Sequence, residues 1–321
     1  MKHIFIMNPA AGKGKAGKVF LPKIIETSKR LGIDYEIHRT LAPGDALHFV
    51  KSRCEAARAG DEPGAAGSEE TSTMRFYACG GDGTLNEVAN GAFGCAKAEI
   101  AMIPAGTGND FPRYFGKREY FEDIERQILG EARTIDLIRY ASDSEVRYCV
   151  NMFNIGLDCN VADKVAEIKD NPFVPAPIAY GLGVGIILLK KEGVTLEISL
   201  DNGEAFSGDL MLVAIGNASY CGGGFKGVPG ADVADGLIDV SIVGNISRRT
   251  FLSLLGKYRK GTHLEDPVVK IFLTYRKCKS LTIKPQGMMK LCTDGEITMM
   301  GETTFTIEPA CMKFSVPQGC V

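Results

Sequence analysis

The chain has 321 residues, a formal net charge of −2 and an isoelectric point near 6.2. That length exceeds what one hydrophobic core usually serves, so two domains are expected. The near-neutral balance gives no whole-molecule attraction for nucleic acid, and ten scattered cysteines without C-x-x-C or H-E-x-x-H spacing read as free thiols of a cytoplasmic protein without a signal peptide.

In chain order, the first part alternates strand and helix. A strand at His3 to Met7 precedes a helix ending near Leu31-Gly32, and Asp34 to Thr40 forms the next strand. A helix from Pro43 to Gly60 carries proline near its start and glycine just past its end. Asp61 to Thr73 has no periodicity and reads as an exposed insertion. A strand at Met74 to Cys79 hands over to a helix from Thr84, whose S/T-x-x-E spacing to Glu87 suggests a capping box. A strand at Ile100 to Pro104, a helix from Glu119 to Leu129 and a strand at Thr134 to Tyr140 complete the series. Such alternation predicts a doubly wound, mostly parallel α/β domain over residues 1–140, with ligands at the carboxyl ends of its strands.

Residues 141–321 change to strand-like runs: Glu145–Ile155, Val194–Leu200, Ala205–Ile215, Leu237–Val243, Val268–Thr274, Ser280–Lys284, Thr303–Ile307 and Met312–Val316. Asn202-Gly203 is a hairpin signal, and helical stretches fall at Ile178–Lys191 and Arg248–Arg259. An antiparallel β-sandwich or open barrel is expected, with the last segment a candidate to pack back on the first domain. Ile178 to Leu189 is apolar but shorter than the ~20 residues of a spanning helix.

Three polar, glycine-rich loops follow strands of the first domain: Asn8 to Gly12, Gly80 to Glu87, and Pro104 to Asp110. Glycine lets the backbone approach an anion, and the N–H groups opening a helix face it. Asp82 within such a loop would repel phosphate unless a metal ion or donor intervenes, which points to metal-assisted phosphate chemistry. No lysine stands in a G-x-x-x-x-G-K-[ST] frame, and the four histidines show no ligand spacing.

Asn8-Pro9-x-x-Gly12, Gly80-Gly81-Asp82-Gly83-Thr84 with Asn86-Glu87, and Gly106-Thr107-Gly108-Asn109-Asp110-Phe111 together resemble the diacylglycerol kinase catalytic family, which includes bacterial lipid kinases and sphingosine kinases. Asn154 to Asp158, Gly216-Asn217, Gly222 to Gly224, Pro229 to Asp239 and Asp294-Gly295-Glu296 extend the resemblance over nearly the whole chain. GGDGT alone is shared with NAD kinases and phosphofructokinases; the GTGNDF and DGE elements narrow it to lipid kinases.

The resemblance implies that Asn8, Gly12, Thr40, Gly80, Gly81, Asp82, Gly83, Thr84, Asn86 and Thr107 line an ATP site, with Asp82 and Asp110 its functional carboxylates. It implies Asp294 as general base, with Glu296 a close second. Asp235, with the carbonyls of Asp232 and Leu237, matches a structural Mg2+ site, and Asp136 matches its water network. One departure stands out: the family often has two aspartates before Gly236, and here the pair is Ala234-Asp235. Without the resemblance, Asp235-Gly236 and Asp294-Gly295 would read as plain turns.

The implied activity is Mg2+- and ATP-dependent phosphorylation of a hydroxyl on diacylglycerol or a related lipid bound between the domains. A sphingoid base, a polyprenol or NAD as acceptor, and a non-catalytic nucleotide- or lipid-binding regulator, are the alternatives. The expected partners are ATP and a lipid alcohol, with peripheral membrane contact through Arg248, Arg249, Lys257, Arg259 and Lys260, and with a homodimer left open.

Overall fold

The computed structural model describes residues 1–59, 73–141, 146–157, 159–160 and 193–320. The expected insertion at 61–73 lies outside them apart from its last residue, as do the helix at 178–191 and Asp158. The chain divides into two compact units, residues 1–137 with 309–321, and residues 138–308.

In the first unit, β1 (Lys2–Met7), α1 (Leu21–Leu31), β2 (Tyr35–Arg39), α2 (Asp45–Ala59), β3 (Met74–Gly80), α3 (Asp82–Ala92) and β4 (Ala98–Pro104) alternate regularly. Three short helices follow, α4 (Pro112–Phe115), α5 (Arg118–Glu122) and α6 (Ile124–Ile128). The strands pair in parallel in the order β2-β1-β3-β4. Every residue of β3 and β4 is buried, as strands covered on both faces require. Arg75 on β3 is buried with Glu99 on β4, Nε to Oε2 at 2.8 Å, and its guanidinium also donates to the carbonyls of Gln127 and Ile128. This buried charge is therefore paired and hydrogen-bonded, and it ties α6 to the sheet.

The expected helix from Glu119 to Leu129 is two helices. Asp123 interrupts it in extended conformation and accepts the Arg126 N–H at 3.1 Å, which caps α6. The capping box at Thr84 is also not formed. The residue before α3 is Gly81, and Glu87 instead reaches the N–H groups of Gly44 and Ala46 at 2.9 and 3.1 Å, satisfying donors at the start of α2.

The second unit is antiparallel. It begins within β5 (Glu131–Ala141) and contains β6 (Val146–Cys149), β7 (Met152–Gly156), β8 (Val194–Leu200), β9 (Ala205–Gly216), the two-residue strands β10 (Tyr220–Cys221) and β11 (Phe225–Lys226), and β12 (Ile238–Gly244). Then come α7 (Arg248–Lys260), β13 (Leu273–Cys278), β14 (Ser280–Pro285), β15 (Met289–Thr293), β16 (Glu296–Met300) and β17 (Thr303–Val316). The Asn202-Gly203 turn forms as expected and joins β8 to β9. The first half of β9 pairs with β8, whereas its second half lies between β7 and β12. Its burial follows suit, alternating at first and then continuous from Leu210 to Gly216. Ile155, Val213, Val240, Leu291 and Phe305 are among the fully buried side chains of the core, each contributing about 1.5–3 kcal/mol by leaving water.

Three strand expectations need correction. Val268 to Thr274 is mostly not a strand: Val269–Ile271 is a 3-10 turn, and β13 begins at Leu273. Asp266 accepts the Val268 N–H at 2.8 Å and so bends the backbone there. The separate strands at Thr303–Ile307 and Met312–Val316 are one strand, β17, which passes from one unit into the other and turns at Ala310 with φ 50°. Within the first unit, Asp136 accepts the Ala310 N–H at 2.7 Å, which holds that turn. The run Glu145 to Ile155 is split between β6 and β7 for a reason that belongs to the site.

Candidate active site

In the first unit the three loops meet at the start of α3. Asn8 accepts the Ala10 N–H at 3.0 Å and donates from Nδ2 to Thr84 Oγ1 at 3.2 Å, linking the loop after β1 to the first turn of α3. Gly80 O accepts the N–H groups of Ala105 and Gly106 at 2.8 and 3.0 Å, linking the loops after β3 and β4. Two glycines are sterically required. A Cβ on Gly12, which has φ 60°, would stand 2.1 Å from Ala105 O, and one on Gly106 would stand 2.7 Å from Gly81 Cα.

Asp82 holds the third loop. Its Oδ2 accepts the Asn109 N–H at 2.8 Å and its Oδ1 the Asp110 N–H at 3.0 Å. Asn109 is left-handed at φ 53°, and its Nδ2 donates to Gly106 O at 2.6 Å. Asp110 is buried and lies 3.2 Å from Arg113 Nε. The charge of Asp82, an electrostatic oddity in the sequence, is thus met by backbone donors that it organises. Gly81, Gly83 and Asp82 are half-buried at the helix start, Thr107 is exposed at the loop tip, and Asn86 is buried with its Oδ1 accepting from Asn90 at 3.1 Å. Thr40, at the end of β2, donates its N–H to Met7 O at 2.9 Å and so ties that strand end to β1.

In the second unit, Asp294 and Gly295 form the tight turn between β15 and β16, with φ 47° and 90°. The turn reading of this dipeptide is correct, and the side chain does more. Asp294 is 5% exposed, and its carboxylate accepts the N–H groups of Val150, Asn151 and Met152 at 3.0, 3.0 and 3.1 Å. Cys149 Sγ lies 3.1 Å from Oδ1. Burial, then the neighbouring Asp294 charge, pushes the Cys149 thiol well above its ordinary pKa, so it is a neutral donor. These backbone donors are the ones a continuous strand would have spent on a ladder, which is why the run from 146 to 156 breaks at Val150-Asn151.

Two asparagines fix the same turn. Asn217 Nδ2 donates to Val150 O at 2.9 Å, its N–H donates to Asn151 O at 2.8 Å, and Asn151 Nδ2 donates to Tyr220 O at 2.9 Å. Nothing in the local sequence marked Cys149 to Met152 as the partner of Asp294, 142 to 145 positions away. Glu296 opens β16, exposed and paired across from Thr293.

Asp235 stands elsewhere in this unit. Its Oδ1 accepts the Leu237 N–H at 3.0 Å and its Oδ2 lies 2.7 Å from Lys277 Nζ. Asp232 accepts the Ala234 N–H at 3.1 Å. Among the described residues, no three His, Cys, Asp or Glu side chains converge as metal ligands. With one oxygen of Asp235 on a backbone donor and the other on an ammonium, this turn does not fit the octahedral oxygen shell that Mg2+ demands.

The first unit thus carries three glycine-lined loops at its strand ends, and the antiparallel second unit buries the Asp294 carboxylate against backbone donors. Residues 2–140 match the diacylglycerol kinase catalytic domain, and residues 151–316 match the YegS C-terminal NAD kinase beta sandwich-like domain. The chain is 30% identical over 293 residues to a diacylglycerol kinase of Staphylococcus carnosus (strain TM300), spanning 91% of this chain and 87% of that one. It is 27% identical over 298 residues to a diacylglycerol kinase of Bacillus subtilis (strain 168), spanning 91% and 88%. A crystal structure of a diacylglycerol kinase from Bacillus anthracis str. Sterne shares the fold at a TM-score of 0.69 and 20% identity, over 100% of this chain and 98% of that one. The chain belongs to the diacylglycerol kinase catalytic-domain family of lipid kinases, with the YegS-type C-terminal sandwich.

Proposed function

We propose that this protein transfers the γ-phosphate of ATP to a hydroxyl of diacylglycerol or a related lipid. The observation that carries the reading is the union of three loops at the start of α3, closed by the two hydrogen bonds from Asn109 and Asp110 to Asp82. Phosphoryl transfer depends on positioning and charge neutralisation, and the start of α3, where the three loops meet, turns the positive end of a helix dipole toward an anion. Asn8, Gly12, Thr40, Gly80 to Thr84, Asn86 and Thr107 are the residues assigned to the nucleotide, with Asp82 and Asp110 as the carboxylates that keep the loops in place. Mg2+ bound with the triphosphate would supply further charge neutralisation.

Asp294 is assigned as the base that accepts the proton of the attacking lipid hydroxyl. Its carboxylate is held in one orientation by the backbone of Val150 to Met152, which suits a group that must meet the hydroxyl at hydrogen-bond distance. Glu296, exposed and on a strand start, fits positioning better than proton transfer.

No helix among the described residues is long and apolar enough to cross a membrane. Access to lipid through the outer face of α7 is part of the proposal, because Arg249, Arg259 and Lys260 are exposed there beside Leu252, which is 54% exposed. Lys257 of the same helix is engaged by Asp266. γ-Labelled ATP offered with a panel of purified lipids tests the reading: label should enter diacylglycerol or a close relative. Label entering NAD alone, or no acceptor at all, would sink it.

A further inference from the structure

The turn that family resemblance assigns to a structural Mg2+ is occupied by the protein's own cation. Lys277 on β13 faces Asp239 on β12 in the strand register. Its Nζ lies 2.7 Å from Asp235 Oδ2 and 3.2 Å from Asp239 Oδ2, so one ammonium bridges two carboxylates. Asp239 is fully buried, a position where a carboxylate must be paired. Its other oxygen, Oδ1, accepts the Tyr275 hydroxyl at 2.6 Å. That hydroxyl oxygen in turn accepts the Gly230 N–H at 3.1 Å.

The segment from Gly230 to Leu237 is therefore fastened at both ends to one strand, through Tyr275 at the first end and Lys277 at the second. A divalent ion coordinated by Asp235 and neighbouring carbonyls would perform the same mechanical task. We propose that Lys277 replaces that ion as the structural cation of this turn, so that the fold of the second unit does not depend on Mg2+ there. The departure in the sequence agrees with this exchange. Ala234 stands where the family often has a second aspartate, and removing one negative charge leaves less for a monovalent cation to offset. An entering metal would have to displace the ammonium from Asp235, leaving it with Asp239 alone and close to the new positive charge.

The fastening has a functional neighbour. Val228 and Ala231 pack in one apolar cluster with Met152, and the Met152 N–H is one of the donors to Asp294. A loosened turn would thus reach the backbone that orients Asp294.

Thermal unfolding of the full-length protein in millimolar magnesium chloride and in EDTA tests the inference without using ATP turnover or lipid. The wild type should melt at the same temperature in both. Lys277→Met should melt lower by roughly 5 °C in EDTA, while Lys277→Arg, which keeps the charge, should stay near the wild type. A wild-type midpoint that rises with Mg2+, with the rise lost in Asp235→Asn, would overturn the inference by showing that a metal holds the turn. An unchanged midpoint in Lys277→Met would overturn it equally. If Lys277→Met does not fold, Lys277→Arg decides: a wild-type midpoint in EDTA supports the cation role, and a Mg2+-dependent midpoint contradicts it.

Discussion

Asp82 in the first unit and Asp294 in the second use one device under different constraints. Each carboxylate captures consecutive backbone N–H groups of a distant segment, two for Asp82 and three for Asp294. Asp82 reaches 27 and 28 positions along the chain, to the loop after the neighbouring parallel strand. Asp294 reaches back more than 140 positions and interrupts a strand to do so. The loop cluster of the first unit is thus built from local βα loops and glycine contacts, and the Asp294 cradle of the second from long-range pairing. Damage to the first should therefore act on nucleotide binding, and damage to the second on the chemical step.

The largest expected effect is on turnover. Asp294→Ala should lower lipid phosphorylation by roughly 10³-fold, measured with labelled ATP and detergent-dispersed lipid, whereas Glu296→Gln should remain within about threefold of the wild type. A reversed order would move the base to Glu296 and break the comparison at its catalytic end.

Next comes packing. Gly12→Ala places a Cβ against Ala105 O at a left-handed position, and Gly156→Ala, at φ 82°, places one 2.5 Å from Met211 O. Each should cost about 3 kcal/mol in chemical denaturation. Only Gly12→Ala should weaken nucleotide binding in protein that remains folded. Equal losses of nucleotide affinity in both would erase the distinction between the halves.

The smallest effect is on pH. Each unit buries one histidine whose pKa is lowered to about 4, chiefly by burial: His3, hydrogen-bonded to Tyr77 at 2.7 Å, and His263, beside Tyr258. Between about pH 6.5 and 4 the unfolded chain binds protons at these positions that the folded chain refuses, so stability should fall as pH drops through that window and be regained above it. His263→Leu should flatten part of that slope in thermal unfolding. An unchanged slope would mean that His263 is not held neutral.

The two halves also differed in how far the sequence disclosed them. The alternation of strand and helix, the three loops and their convergence were legible because period, glycine and turn chemistry are local signals. Even there Glu87 misled, because its spacing to Thr84 suited a capping box while its side chain serves α2. In the second half the hairpin at Asn202-Gly203 was plain, and Asp294 was singled out only through the family resemblance. Its cradle at Cys149 to Met152 was not, since a continuous β-like run gives no hint that a remote carboxylate will claim its donors. Lys277 escaped notice for the same reason: its partners meet it through strand register and a turn.

ATP binding by calorimetry to Asp82→Ala and Asp294→Ala, side by side, tests the division of labour most directly. The account predicts that Asp82→Ala loses affinity by at least about tenfold, as its loop donors lose their acceptor, while Asp294→Ala binds ATP as the wild type does. Undiminished binding in Asp82→Ala, or lost binding in a folded Asp294→Ala, would contradict it.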